Sequence, residues 1–351
     1  MWIRKKHFVP FIELTKNPKK NQWNLLKNIL HQNKDTHFGS KHKFTSIHSY
    51  KDFQNAIQIN EYEDLRSYIN QQEQTGEPYL NSQQPVMYAQ TSGTTGEPKN
   101  IPILNASIES YKHSQSLFSY TLYSFDMEVY SGNILAIVSP DIEGYLSTGT
   151  PYGAITGLIY KSMPTLLRHC YLLPFEIFTV SDYNTKYYLI CAFALKSENI
   201  TLIATPNPST ILRLKDIIDT KFEDLLRDIE SGNLSCMKEI DPEKRKRINC
   251  KFKPNQLRAS QLRELKKKKG SLIISDIWPN LKLISTWTSG NCSTLLPALK
   301  AQLSSKSFIG EVGYMSSEFR GTVNLDIRNE IQVPTLNENF FEFVERDEWG
   351  S

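Results

Sequence analysis

The stretch PVMYAQTSGTTGEPKNIPILNAS, residues 85–107, is where a strand pattern gives way to a run of small hydroxyl residues and glycines and then to a helical pattern. PVMYAQ has the apolar and aromatic content of a strand. Beyond Pro102, Asn105 is a candidate helix cap, and Ile108, Tyr111, Phe118 and Leu122 recur on one helical face. A strand, a flexible hydroxyl and glycine loop and a helix form a recurrent phosphate-binding device. Glycine lets successive N–H groups converge on an anion, hydroxyls add donors and a lysine adds charge. The residues suited to this are Thr91, Ser92, Gly93, Thr94, Thr95, Gly96 and Lys99. The loop is not a Walker motif. That motif needs glycine then lysine five and six positions after its first glycine, and here those positions hold Pro98 and Lys99. An ordinary surface turn would carry the same pattern of glycine, serine and threonine, so the flanking elements decide its meaning.

Those flanks repeat along the chain. Strand-length apolar runs at 134–138, 201–205, 281–286 and 308–311 lead through loops of small residues into helical patterns, the signature of an α/β fold. The plainest helix follows TPNPST. Ser209 is placed to cap it, Ile211, Leu214, Ile218, Leu225 and Ile229 line one face, and Gly232 supplies a stop. Residues 1–85 read as an N-terminal helical region and 86–351 as the α/β core. The segment 139–157 is too rich in small and turn-forming residues for a buried element.

Composition narrows the function classes. A chain of 351 residues with 39% hydrophobic content can bury a large core. A net charge of +4 is too slight to make nucleic acid or an anionic membrane the main partner. The charge is concentrated, however. Residues 241–270 hold twelve Lys and Arg against three acids, without interleaved stacking aromatics, and read as a solvated helix face and loop. No run of about 18 apolar residues could span a bilayer, and the basic N-terminus lacks the apolar core of a signal peptide; the expected location is the cytoplasm. The five cysteines, Cys170, Cys191, Cys236, Cys250 and Cys292, are scattered and read as free thiols, with Cys292 a small buried one. The histidines show no metal-ligand spacing.

The loop at 91–99 resembles the phosphate loop of adenylate-forming enzymes. HFGSKHKFTSIHSYKDFQ (37–54), INEYEDLRSYI (59–69), NPSTILRL (207–214), DIWPNLKLISTWTSG (276–290) and GYMSSEFRG (313–321) occur in the order and spacing of the auxin-responsive-promoter family of acyl acid amido synthetases. The resemblance implies the large N-terminal domain of an adenylate-forming enzyme, mixed sheets flanked by helices. It implies ATP and Mg²⁺ as cofactors, and a small-molecule carboxylic acid and an amine, such as an amino acid, as substrates. A carboxylic acid would be activated as an acyl-adenylate and the adenylate then opened by the amine. Lys99, Ser317 and Glu318 would be catalytic, Tyr314 would stack on adenine, Ser289, Gly290 and Asn291 would lie at its edge, Ser317 would donate to the α-phosphate, and Glu318 would ligate Mg²⁺. The segment 139–157 would form part of the acid's wall.

Members of that family continue past the point corresponding to Ser351, through a third nucleotide motif with an aspartate for the ribose and a small C-terminal lid domain. The expectation is therefore an incomplete large domain with the lid domain not present, and 339–344 is expected as a strand lacking its hairpin partner. Three functional readings stay open: an acid-activating ligase, impaired by truncation; a noncatalytic ATP- or AMP-binding module that keeps the loop; and an interaction protein that works through the basic patch at 241–270.

Overall fold

The computed structural model describes residues 2–91, 97–162, 169–237 and 240–348. The chain starts with helices α1 (Val9–Thr15), α2 (Pro18–Asn33), α3 (His37–Lys41), α4 (Tyr50–Ala56) and α5 (Tyr62–Thr75). Short polar side chains start three of them by accepting an otherwise orphaned backbone N–H. Asn17 accepts from Lys20, Thr36 from Gly39 and Ser49 from Asp52. Leu26, Leu30, Phe44 and Ile47 form a small core here, into which Phe340 packs from the far end of the chain.

Strands β1 (Met87–Thr91) and β2 (Lys99–Ile103) pair antiparallel, Met87 opposite Ile103 and Thr91 opposite Lys99. Thr91 and Lys99 are thus brought together at the loop end of this hairpin, while Ser92, Gly93, Thr94, Thr95 and Gly96 lie outside the described residues. β4 (Gly144–Tyr145) and β5 (Pro151–Gly153) complete a sheet of order β2-β1-β5-β4, β5 running parallel to β1. The expectation that 139–157 holds no buried element is corrected by this sheet. Gly153 is buried, and a side chain there would stand 2.2 Å from the Asp141 carbonyl oxygen, so the many small residues serve close backbone approach rather than exposure.

Helix α6 (Asn105–Phe125) follows β2. Its cap is Leu104 and not Asn105. The Ser107 hydroxyl reaches back to accept the Leu104 N–H, and Asn105 is already helical. The buried face carries Tyr111, Phe118 and Leu122, as the spacing predicts, together with Leu117, while Ile108 is only half-buried.

β3 (Asn133–Ala136), β6 (Ile200–Ala204), β7 (Leu283–Thr286) and β8 (Phe308–Glu311) form a parallel sheet in that order. Alternate residues face opposite layers. Ile134, Leu202 and Leu283 pack with Leu117, Phe118 and Leu122 of α6. Leu135, Ile203 and Ile284 pack against the helices Tyr183–Lys196, Pro208–Thr220, Phe222–Ser231 and Gln256–Lys269. The helix after TPNPST is two helices, broken at Lys221, and its cap is Asn207, whose side chain accepts the Ser209 N–H at 2.9 Å. Pro208 takes the first helical position because it has no N–H to lose there, which moves the cap two residues ahead of Ser209. Gly232 ends the second helix at φ 72°, a conformation that favours glycine.

Strands β9 (Thr322–Asp326) and β10 (Ile331–Pro334) form an antiparallel pair. The expected strand at 339–344 is absent. Asn339 donates to the Arg320 carbonyl and the Thr335 hydroxyl, and the Phe341 N–H donates to Gln22 Oε1 at 2.7 Å. Backbone groups that would serve a ladder are instead held by α2, and Phe340 is drawn into the helical core. An apolar, strand-like run thus loses to long-range packing.

The basic segment forms helices Pro242–Lys251 and Gln256–Lys269 and is not uniformly a solvated face. Arg258 is buried, donating to the Leu195 and Ile277 carbonyls, and Ile248, Phe252, Ala259 and Leu262 are core residues. The lysines at 266–269 are the solvated part. They end their helix, where positive charge suits the carbonyl end. Lys266 lies over Phe222 and Lys269 pairs with Asp276. Replacing Lys266, Lys267, Lys268 and Lys269 with glutamine is expected to cost less than about 1 kcal/mol in chemical denaturation and to leave nucleotide binding unchanged. Salt-sensitive nucleic-acid binding that disappears in this variant would overturn the assignment.

Candidate active site

The carboxyl ends of the parallel strands are bound to one another by a few side chains. At the end of β7, Thr286 Oγ1 and the Trp287 N–H both donate to the Pro206 carbonyl, tying β7 to the turn after β6. Trp287 Nε1 donates to the Gly313 carbonyl at 3.1 Å, tying β7 to the turn after β8. Glu311, the last residue of β8, is 7% exposed. Its Oε2 accepts from Thr288 N–H (2.7 Å), Thr288 Oγ1 (2.8 Å) and Ser289 Oγ (3.3 Å), and its Oε1 accepts from Gly313 N–H (2.9 Å). One buried carboxylate therefore fixes the loop 287–291 against the loop 313–321. Sequence reading assigned no role to Glu311 or Trp287. The available signal was a charged residue closing an otherwise apolar strand, where its side chain must find donors.

The second loop is a tight reversal. The Gly321 and Thr322 N–H groups donate to the Tyr314 carbonyl, and the Ser316 N–H to the Phe319 carbonyl. Gly313 has φ 102°, and a side chain on it would stand 2.6 Å from the Thr322 carbonyl oxygen, so only glycine fits the turn without strain. Helix α6 braces the reversal from behind, the Tyr111 hydroxyl donating to the Ser316 carbonyl at 2.9 Å. Since α6 grows directly out of β2, it joins the β1–β2 hairpin to the second loop.

A cavity of about 150 Å³ opens between α6 and this reversal, its lining including Ser107, Ser110, Tyr111, Glu318, Arg320 and Glu338. Arg320 is buried, its guanidinium over the Phe118 ring at 4.9 Å. Burial pushes that guanidinium down to about 10, and the neighbouring Glu338 opposes the shift. Burial likewise raises the Glu338 carboxyl, against the pull of His113, whose Nδ1 lies 2.6 Å from Glu338 Oε1.

The sequence-predicted residues fall into two groups. Ser289, Gly290 and Asn291 are exposed and lie where Glu311 holds the loop, next to the reversal with Tyr314, Ser317 and Glu318. Tyr314 is 61% exposed, edge-on to Phe319, with a ring face free to stack. Ser317 is half-buried, and its hydroxyl has no hydrogen bond among the described residues. Glu318 is exposed and lines the cavity. Lys99 stands apart, at the start of β2 with its ammonium 5.4 Å from the Tyr62 ring centre of α5, and it makes no contact with Tyr314, Ser317 or Glu318 among the described residues. Cys292 is half-buried in the short turn Gly290–Leu295 and not buried as expected; Cys191 is the fully buried thiol.

These residues suit a nucleotide and a magnesium ion. An exposed aromatic face, a partnerless hydroxyl and a solvent-facing carboxylate in one reversal match an adenine ring, a phosphate oxygen and a hard cation. Among the described residues no group of three or more His, Cys, Asp and Glu could hold a metal ion by themselves. Magnesium does not require one, because it commonly uses one or two carboxylates together with substrate phosphates and water.

The sheets and the helices that flank them make up an adenylate-forming fold. The family profile described as the GH3 family N-terminal domain matches residues 9–308, and the chain belongs to the GH3 family. Indole-3-acetic acid-amido synthetase GH3.5 of Arabidopsis thaliana is 25% identical over 322 residues, covering 89% of this chain and 52% of its own length. Indole-3-acetic acid-amido synthetase GH3.8 of Oryza sativa subsp. indica is 24% identical, covering 97% and 58%. The solved structure of the GH3.15 acyl acid amido synthetase shares the fold, with a TM-score of 0.83 at 22% identity over 96% of this chain and 61% of that one. The chain spans about half the length of the curated relatives it matches. No helix among the described residues is long and apolar enough to cross a membrane.

Proposed function

We propose that this chain is the nucleotide- and acid-binding part of an ATP-dependent acyl acid amido synthetase. A carboxylic acid is activated at the α-phosphate of ATP as an acyl-adenylate, and an amino acid or other amine displaces AMP to form an amide. Negative charge moves onto the departing pyrophosphate in the first step, so donors and a cation placed there stabilise the transition state more than the ground state. In this reading Thr91, Ser92, Gly93, Thr94, Thr95, Gly96 and Lys99 hold the β- and γ-phosphates. Tyr314 stacks on adenine beside Ser289, Gly290 and Asn291, Ser317 donates to the α-phosphate, and Glu318 holds Mg²⁺. The cytoplasm is the compartment that fits ATP and free thiols.

The observation that supports this reading most is the Glu311 carboxylate, which joins the two proposed nucleotide loops at the carboxyl ends of a parallel sheet, where ligands of open α/β sheets collect. Relatives named acid-amido synthetases, and a solved GH3.15 complex with 2,4-DB, supply the acid and amide classes. The test is to incubate the chain with Mg-ATP, a panel of acids and mixed amino acids, following AMP and amide by mass spectrometry. Acid-dependent AMP release is expected. Mg-ATP binding without any acid-dependent AMP would favour the noncatalytic module, and absence of Mg-ATP binding would overturn both.

A further inference from the structure

The cavity between α6 and the Tyr314–Thr322 reversal is lined by a buried cation with unused donors. Arg320 carries five N–H groups. Three are taken: Nε donates to the Thr322 carbonyl at 3.3 Å, Nη1 to Gln115 Oε1 at 3.3 Å and Nη2 to the Val312 carbonyl at 2.7 Å. Each Nη retains a second N–H with no partner among the described residues. Stacking on Phe118 and the three bonds hold the guanidinium plane in place, so it cannot swing to water to satisfy them. The other polar groups of the lining are mostly committed. Tyr111 donates to Ser316, Ser107 accepts from Leu104, and Glu338 Oε1 is taken by His113. Ser110 Oγ, half-buried on α6, has no partner among the described residues. The cavity thus presents surplus donors at Arg320 and Ser110, with the Glu318 carboxylate at another part of its lining, and at about 150 Å³ it is smaller than the pockets of about 300–1,000 Å³ that enclose drug-sized ligands.

Resting on the proposed function, we infer that the acid taken by this chain is a short carboxylic acid with a carbonyl or hydroxyl oxygen on its tail, received by Arg320 and Ser110, and not a flat aromatic acid. Glu318 lines the same cavity, so an acid whose tail oxygen meets Arg320 keeps its carboxylate toward the nucleotide loop. An apolar or aromatic tail would face the two N–H groups of a buried guanidinium without accepting a hydrogen bond from either, and a charged donor left unpaired is penalised more heavily than a neutral mismatch. Arg320 is therefore a specificity-determining residue.

The inference is tested by calorimetric titration of the full chain with levulinate, pentanoate and indoleacetate. Levulinate and pentanoate share one carbon chain and differ by a single carbonyl oxygen. Wild type is expected to bind levulinate about tenfold or more tightly than either of the others. Arg320→Met is expected to abolish that preference, Arg320→Lys to retain part of it, and Ser110→Val to weaken it. Circular dichroism checks each fold; if Arg320→Met does not fold, Ser110→Val decides. Equal or tighter binding of pentanoate or indoleacetate by wild type, no binding of any acid, or an undiminished levulinate preference in Ser110→Val would overturn the inference. Mg-ATP is titrated in parallel. Nucleotide binding without the acid preference sinks this inference alone, whereas an acid preference without nucleotide binding sinks the proposed function and leaves the pocket assignment standing.

Discussion

Glu318→Ala is expected to weaken Mg-ATP binding by about tenfold or more and to leave the unfolding midpoint unchanged. The carboxylate is exposed, and the residue's only hydrogen bond among the described residues is its N–H to Ser316 Oγ, which the substitution keeps. Little packing is lost, so stability should move by no more than about 0.5 kcal/mol. Binding responds differently. If Glu318 is the one carboxylate on the metal, its removal takes away a charge-assisted contact that phosphates and water replace only in part. Where acid-dependent AMP release is measurable, loss of one transition-state contact should slow it by about a hundredfold. Calorimetry with Mg-ATP, beside a denaturation curve of both proteins, separates the effects. Equal Mg-ATP affinity in two folded proteins would remove Glu318 from the metal site.

The opposite signature is expected at Glu311. Glu311→Ala deletes an acceptor of two hydroxyls and two backbone N–H groups, those of Thr288 and Gly313, at a position shielded from water. Backbone donors left buried without partners cost about 1–3 kcal/mol each, so a loss of about 3 kcal/mol or more is expected. Glu311→Gln keeps one carbonyl oxygen and should lose less. Because both loops hang on this carboxylate, nucleotide affinity should fall with stability, whereas in Glu318→Ala it should fall alone. A Glu311→Ala protein with wild-type stability would show that Glu311 does not hold the loops together.

The elements legible in the sequence are those whose causes are local. β8 runs from Phe308 to Glu311 as its apolar run predicts, and Gly232 stops its helix because an L side chain there would strain the backbone. What escaped depends on distant groups or on competition between adjacent ones. Lys221 breaks a helix whose apolar face continues on both sides, so periodicity alone runs through the break. Asn207 displaces Ser209 as the cap because a proline between them claims the first turn. The segment 339–344 is rich in phenylalanine like a strand, yet Gln22, more than three hundred residues away, holds it in another shape. The site divides in the same way. Tyr314, Ser317 and Glu318 could be nominated as candidates from the sequence because their motif is contiguous, whereas the contacts of Glu311, Trp287 and Arg320 exist only where β8, β7 and α6 meet.

In the proposed function, one nucleotide site is built from the β1–β2 loop, the 287–291 loop and the 313–321 reversal. Hydrogen–deuterium exchange of the full chain, with and without saturating Mg-ATP, tests it most directly. Slowed exchange is predicted in peptides spanning 91–99, 287–291 and 313–321, with the basic helices at 242–269 unaffected. Protection confined to 242–269, or no protection anywhere at a concentration that saturates binding, would contradict it.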